Sequence, residues 1–323
     1  MVAEGVASLV VTGEDAAVRL VSAESGGQGL METIAAHLLL HGNGYVDVAV
    51  DAGGRPGELF ALRPERVSVE ADASGWPAAY LYRVGDRVAR FVPADRAAVG
   101  NVTSDARDRV IHLKRFHPLD DHYGLGCLGA AAGAVAIHNA ATRWNKALLD
   151  NAARPSGALV YAPGESGATL SADQYDKLRA EMDASFAGAA NAGRPMLLEG
   201  GLSWQAMSLT PADMDFVGLK AAAAREIALA FGVPPLLLGL PGDATYANYS
   251  EANRALWRQT IVPLATKILD GIAGGLGAWW PGMTLGIDLD RVPALAEDRE
   301  RLWAQVTAAD FLTTEEKRVM VRV

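Results

Sequence analysis

Arg225-Glu-Ile-Ala-Leu-Ala-Phe-Gly-Val-Pro-Pro-Leu-Leu-Leu-Gly-Leu-Pro-Gly-Asp-Ala-Thr-Tyr-Ala-Asn-Tyr-Ser-Glu-Ala-Asn-Arg254 decides how the rest of the chain is read. It is the end of one helix, a proline-built turn, a polar loop and the start of a longer helix. The first helix opens at Thr210, an N-cap type residue, with Pro211 at the first helical position and Asp213 and Asp215 in the positive first turn. Met214, Val217, Leu219, Ile227 and Phe231 supply its apolar positions, with helix-favouring alanines between them. Gly232 ends it, and Pro234-Pro235 forbid continuation because neither nitrogen carries a hydrogen. Pro241-Gly242-Asp243 signals a turn, and Ala244 to Tyr249 reads as a loop. Ser250 is the expected cap of the second helix, with Ala252, Leu256, Trp257, Ile261, Leu264, Ile268 and Leu269 at helical period and a kink expected at Pro263.

Upstream, a helix is expected over Gly29 to Leu40, stopped by Gly42-Asn43-Gly44. Strands follow at Tyr45 to Val50, Glu58 to Leu62, Val67 to Glu70, Tyr80 to Val84, Val88 to Val92 and Val110 to Arg115, with a hairpin about Gly85-Asp86. The first 120 residues or so therefore predict an α+β layer with an antiparallel sheet. His117 to Gly126 is a loop, and a long alanine-rich helix runs from Leu128 to Asn151. Between it and the helix ending at Gly232 lies a small insert: a strand at Ala158 to Tyr161, a helix capped by Ser171 and running to Phe186, and strands at Pro195 to Leu198 and Ser203 to Leu209. One more strand, Thr284 to Leu289, and helices over Ala294 to Ala308 and Thr313 to Met320 complete the chain.

With 323 residues, half of them hydrophobic, the chain has the material for two or three subdomains. A formal charge of −9 argues against a protein that grips nucleic acid through a broadly basic surface, though not against one that lets it slide. The single cysteine, Cys127, forbids an intrachain disulfide and fits a reducing compartment. Glu4 stands where a signal peptide would carry positive charge, and no window reaches the roughly 20 apolar residues of a membrane span. A soluble chain is expected.

Few motifs suggest chemistry. Gly124-x-Gly126-x-x-Gly129 matches the dinucleotide fingerprint and lies between a strand and a helix, so a nucleotide-dependent oxidoreductase stays open as an alternative. Against it, about eight residues separate strand from glycines, and no βαβ series continues. His112, His117 and His122, with Asp120, Asp121 and Cys127, are spaced for a polar loop rather than a metal knuckle. No nucleophile, base and orienting group converge, so neither a catalytic residue nor a cofactor is expected. Arg143 and Lys146 on the long helix are candidate phosphate contacts, and Trp144, Trp204, Trp257, Trp279 and Trp280 read as core or subunit-contact residues. Asp173, Asp176, Glu181 and Asp183 give the insert an acidic surface that would repel DNA.

The order of parts resembles a family. The resemblance rests on His37-Leu-Leu-Leu-His-Gly-Asn-Gly-Tyr-Val46, Glu58-Leu-Phe-Ala-Leu-Arg-Pro-Glu-Arg-Val67, Val110-Ile-His-Leu-Lys-Arg115 and Gly124-Leu-Gly126 at the head of the long helix. Asn151-Ala-Ala-Arg-Pro-Ser-Gly-Ala-Leu159, Arg194-Pro-Met-Leu-Leu-Glu-Gly-Gly-Leu202 and the opening stretch follow in order. Together they resemble the portal proteins of tailed bacteriophages, the compact type of siphovirus-like heads and gene transfer agents. That resemblance implies a ring, typically of twelve copies, at one head vertex, through which double-stranded DNA is packaged and ejected. It implies partners as well: the major capsid protein, the large terminase subunit and the head–tail connector. Residues 1–126 would be the N-terminal part of a wing, 127–154 a stem helix, 155–210 the clip and 211–233 a second stem helix. Residues 234–250 would be the tunnel-loop region, 251–278 a kinked helix, and 279–323 a wing return strand with a rudimentary crown. Asp243, Ala244, Thr245, Tyr246, Ala247 and Asn248 would face DNA, and the acidic insert would meet terminase and connector. The N-terminus is short for the family and the chain stops soon after Thr313-Thr-Glu-Glu316. Twelve copies at −9 sum to about −108, a charge suited to sliding rather than gripping. A head–tail adaptor that does not line the channel stays open as a second alternative.

Overall fold

A computed structural model describes residues 1–25, 27–94, 109–150, 157–162, 171–186, 202–206, 215–240 and 246–321. The chain divides into two compact units, one of residues 1–131 and 227–323, the other of residues 132–226.

The first unit begins with α1 (Val2–Ala7), β1 (Val11–Gly13) and α2 (Asp15–Val21), a small hairpin of β2 (Glu24–Ser25) and β3 (Gln28–Gly29), and α3 (Leu30–His41). Leu30, Met31, Ile34, Ala35, Leu38 and Leu39 recur at helical spacing, and all are buried on one side of α3. Gly42 ends the helix in the left-handed region at φ 76°, where its amide donates to the Leu38 carbonyl. A six-stranded sheet follows from β4 (Asn43–Val50), β5 (Pro56–Leu62), β6 (Val67–Ala71), β7 (Pro77–Val84), β8 (Arg87–Pro93) and β9 (Arg109–Lys114). Its order is β5-β4-β9-β8-β7-β6. All pairs are antiparallel except β8 with β9, which is parallel, so the expected antiparallel sheet is corrected at one seam. The physical reason is connectivity: β8 and β9 are joined by a long connection rather than a tight turn, and only a long one can return a strand in the same direction.

After α4 (Cys127–Ala130) the chain leaves this unit, and it returns in α7 (Phe216–Ala230). Next come α8 (Tyr246–Leu256), a π-helical turn at Trp257–Ile261, α9 (Val262–Leu276), β12 (Leu285–Ile287), α10 (Ala296–Ala308) and α11 (Thr314–Val321). β12 pairs antiparallel with β1, tying the two ends of the unit together. The interruption expected at Pro263 takes the form of that π turn, which ends just before Pro263 in the first turn of α9, where a missing N–H costs little. The core joins Ile34 and Leu38 of α3, Val46 and Val48 of β4, Ile111 and Leu113 of β9, and Ile268, Leu269, Ile272 and Leu276 of α9. Gly271 and Gly275 let α9 approach the sheet: a Cβ on Gly275 would stand 2.4 Å from Ile111 Cγ1.

The second unit holds α5 (Ala132–Asp150), β10 (Gly157–Tyr161), α6 (Ala172–Phe186), β11 (Leu202–Ala206) and most of α7. β10 and β11 pair antiparallel. The expected single helix from Leu128 is instead two, α4 and α5, broken at Ala131. Ser171 caps α6 as expected: the Gln174 amide donates to its hydroxyl at 3.3 Å and the Gln174 side chain accepts from the Ser171 amide at 2.9 Å. The expected strand at Pro195 to Leu198 lies outside the described residues. So do Thr210, Pro211 and Asp213. Where the described part of α7 begins, Asp215, at φ 38°, accepts from the Gly218 amide at 3.1 Å through its carboxylate.

Candidate functional site

The first feature stands where the chain leaves the sheet for the helical unit. Gly42, at the end of α3, and Gly124 cross so closely that a Cβ on Gly124 would lie 2.1 Å from the Gly42 carbonyl oxygen. A Cβ on Gly126 would lie 2.2 Å from the Leu40 carbonyl oxygen. The first two glycines of the apparent dinucleotide fingerprint thus serve a backbone crossing, and the third, Gly129, lies within α4. The helix that opens after Gly126, α4, has four residues, and the oxidoreductase alternative loses its structural ground.

Asn43 locks this crossing. Among the described residues it is the buried polar side chain, and its Oδ1 accepts from the Gly124 amide at 2.8 Å while its Nδ2 donates to the His41 carbonyl at 3.0 Å. His112 Nε2 lies 3.1 Å from the same Oδ1, so Nε2 must carry the hydrogen, leaving Nδ1 to accept from the Tyr80 hydroxyl at 3.2 Å. Tyr45 stacks on the His112 ring at 4.3 Å between centroids. Burial, with Lys114 adding to it, pushes the His112 pKa down to about 3, which fits a neutral ring that donates from one nitrogen and accepts at the other. The chain Tyr80–His112–Asn43–Gly124 runs from β7 across β9 to the root of α4.

A second feature holds α8. The Arg254 guanidinium meets Glu251 at 3.0 Å, Glu297 more closely still and Asp298 at 3.8 Å, joining α8 to the first turn of α10. Thr260, in the π turn, donates its hydroxyl to the Gly232 carbonyl at 2.6 Å, which fixes the end of α7 against the start of α9.

The expected site residues fall into three groups. Asp243, Ala244 and Thr245 lie outside the described residues. Tyr246, Ala247 and Asn248, expected in a loop, form the first turn of α8, which is a correction to that boundary and to Ser250 as a cap. The helix extends upstream because Ala247, Glu251, Ala252 and Ala255 favour it, with Glu251 and Arg254 paired one turn apart. Asn248 is exposed. On α5, Arg143 and Lys146 are exposed three residues apart on a helix whose buried positions are Ala134 and Ala141. On α6, Asp173 and Asp176 are exposed, and Glu181 and Asp183 lie further along the same helix. Tyr246 to Asn248 belong to the first unit, and the α5 and α6 residues to the second.

The histidine-rich loop makes its own bonds. Asp120 accepts from the His122 and Tyr123 amides at 2.7 and 2.9 Å, and His117 Nδ1 from the Leu119 amide at 3.1 Å. Among the described residues no group of three His, Cys, Asp or Glu is placed to hold a metal. No described helix is long and apolar enough to cross a membrane. Trp257, Trp279 and Trp280 pack against the core, and Trp144 stacks on Phe216 at 6.3 Å. Sequence reasoning missed Asn43 and Arg254. The signal for Asn43 was its place between two glycines; Arg254 gave none beyond Glu251 three residues before it.

The chain is an α+β unit interrupted by a helical unit with a small two-stranded sheet, and its described polar clusters brace the fold. The family model "Phage portal protein" matches residues 16–321, and the chain belongs to that family, which is structural and not enzymatic. A chain in the virion of a native gene transfer agent particle is 47% identical, with a TM-score of 0.70, covering 100% of this chain and 87% of that one. The neck of the native particle computed with C12 symmetry gives the same identity, with a TM-score of 0.69, over 99% of this chain and 87% of that chain. An uncharacterized protein of Rickettsia bellii is 42% identical over 301 residues, 92% of this chain and 74% of its own length. A probable portal protein of Streptomyces phage phiC31 is 27% identical over 260 residues, 77% of this chain and 53% of its own length.

Proposed function

We propose that this portal protein assembles as a twelve-membered ring at one vertex of a phage or gene transfer agent head and carries double-stranded DNA in and out through its centre. The observation that carries the reading is the 47% identity, at a TM-score of 0.69, with a chain in a particle neck of C12 symmetry. In this reading α5 and α7 are the stem, and β10, α6 and β11 belong to the clip that meets the large terminase subunit and the head–tail connector. The wing comprises residues 1–126 with the return strand β12, and it faces the major capsid protein. Residues 243–248, the last three of them in the first turn of α8, lie against DNA, and Arg143 and Lys146 touch phosphates in passing. The acidic face of α6 suits a protein partner better than DNA. The excess negative charge keeps phosphate binding weak.

Mass photometry tests the ring. A dodecamer of the 34.0 kDa chain has a mass of about 408 kDa, and electron microscopy would display rings with an open centre. A monomer at every concentration and salt condition overturns the reading. Replacing Ala244 with Trp tests the channel placement: packaging should fall sharply, and unaffected packaging would place this segment away from DNA.

A further inference from the structure

Among the described residues, nothing packs on the tip of the β7–β8 hairpin. The strands pair out to Val84 opposite Arg87, around a two-residue turn in which Gly85 has φ 60°. β6 pairs with β7 no further out than Tyr82, and β9 meets β8 only at Val92 and Pro93. Arg83 to Arg90 is exposed throughout, so the ribbon projects from the sheet with both faces in solvent. Paired residues share a face, which puts Val84 beside Arg87 on one side and Val88 beside Arg83 on the other. Val84 is 49% exposed and Val88 50%. Further down, Arg90 is paired with Glu70 at 3.0 Å, while among the described residues no acidic partner meets Arg83 or Arg87.

We propose that this tip is a contact arm that docks on a second copy of the chain, its two valines buried and its two arginines paired across the interface. The proposal rests on the ring reading. Closed cyclic assemblies use unlike patches on each subunit, so one side must offer something the other receives. The partner's chemistry follows from charge: two arginines without an acidic partner among the described residues call for carboxylates, and a second copy of this chain, at −9, carries more acidic than basic side chains. Duplex DNA would also attract arginine, but its apolar groups are confined to base edges in the grooves, while the two valines stand on opposite faces of the ribbon. A two-stranded ribbon gains little stability alone, and valines at its tip bury apolar area only through a partner.

The test uses the full chain. A benzophenone amino acid replacing Val84 is irradiated in assembled rings, and the expected product is a crosslinked pair of copies, confirmed by peptide mapping. Crosslinks that go only to DNA or to another particle protein, or no crosslink in intact rings, overturn the proposal. The triple variant Arg83→Glu, Arg87→Glu, Val88→Asp should lower the ring fraction at least tenfold while the melting temperature of the monomer stays within a few degrees. Rings that persist in the variant overturn the arm and leave the ring reading standing. No rings from the unsubstituted chain overturn both.

Discussion

The two units of the molecule differ in which of their described apolar residues are buried. The first encloses Ile34, Leu38, Val46, Val48, Ile268 and Ile272 and adds a buried polar lock at Asn43. In the second, α5 buries Ala134 and Ala141 while Ile137 is 45% exposed and Trp144 41%, and on α7 Val217 is 78% exposed. One unit closes its core from its own residues. Among the described residues of the other, the buried apolar side chains are alanines, Ala134, Ala141 and Ala223, and the large ones on α5 and α7 stand in solvent. The contrast bears on stability: the first unit has an extended core of its own, and the described helices of the second leave large apolar side chains in solvent for a partner to cover. In the ring reading the cover is the neighbouring subunit.

The largest effect expected from a single change is at the root of α4. Gly124→Ala drives a Cβ into backbone, 2.1 Å from the Gly42 carbonyl oxygen and 2.7 Å from the Arg115 nitrogen, and backbone there has no room to yield. A loss of about 3 kcal/mol is expected, read as a shift in the urea midpoint of the first unit. If the same change left that midpoint in place, the first unit would not be the self-sufficient half of the molecule.

Acid should act on the same unit through His112. Its folded pKa, about 3, lies below the ordinary value of 6.5, so the unfolded chain takes up a proton first. The contribution is complete above about pH 6.5 and is lost as pH falls toward about 3, at up to about 1.4 kcal/mol per pH unit. His112→Gln should flatten the stability–pH profile in that window, measured by denaturant midpoints at several pH values. Tyr80→Phe removes the hydroxyl that His112 accepts and should cost about 1 kcal/mol at neutral pH.

Much of this was legible beforehand. The six strands, the Gly85-Asp86 hairpin, the Ser171 cap and both C-terminal helices follow from period, turn residues and capping chemistry, all of which act within a few residues. The parallel seam of β8 with β9 was not legible, because direction depends on a connection whose path no local pattern encodes. The start of α8 was missed for a related reason. Tyr-Ala-Asn-Tyr-Ser has weak helix propensity, and Arg254, which anchors that helix, has its partners Glu297 and Asp298 more than forty residues away. Gly124-x-Gly126 misled because a spacing of glycines records the need for close approach without saying what approaches. Of the site, the exposure of Asp173, Asp176, Arg143 and Lys146 followed from helix faces; which of them meets a partner is a property of the assembly.

The smallest effect on the isolated chain bears most directly on the contrast. Val217 stands in the first turn of α7, fully in the second unit, and Ile137 on the outward side of α5. In a lone domain, Val217→Ser and Ile137→Ser change exposed positions and should shift stability by no more than about 0.5 kcal/mol. If neighbouring copies cover those helices, the same changes remove buried apolar area at every subunit contact of the ring, and a small loss repeated around a closed ring lowers its stability steeply. The expected pattern is therefore an unchanged monomer melting temperature with rings that dissociate at higher protein concentration, read by mass photometry across a dilution series. A drop in monomer stability instead would place those side chains in a core of the chain's own making, and the two units would then differ in degree rather than in kind.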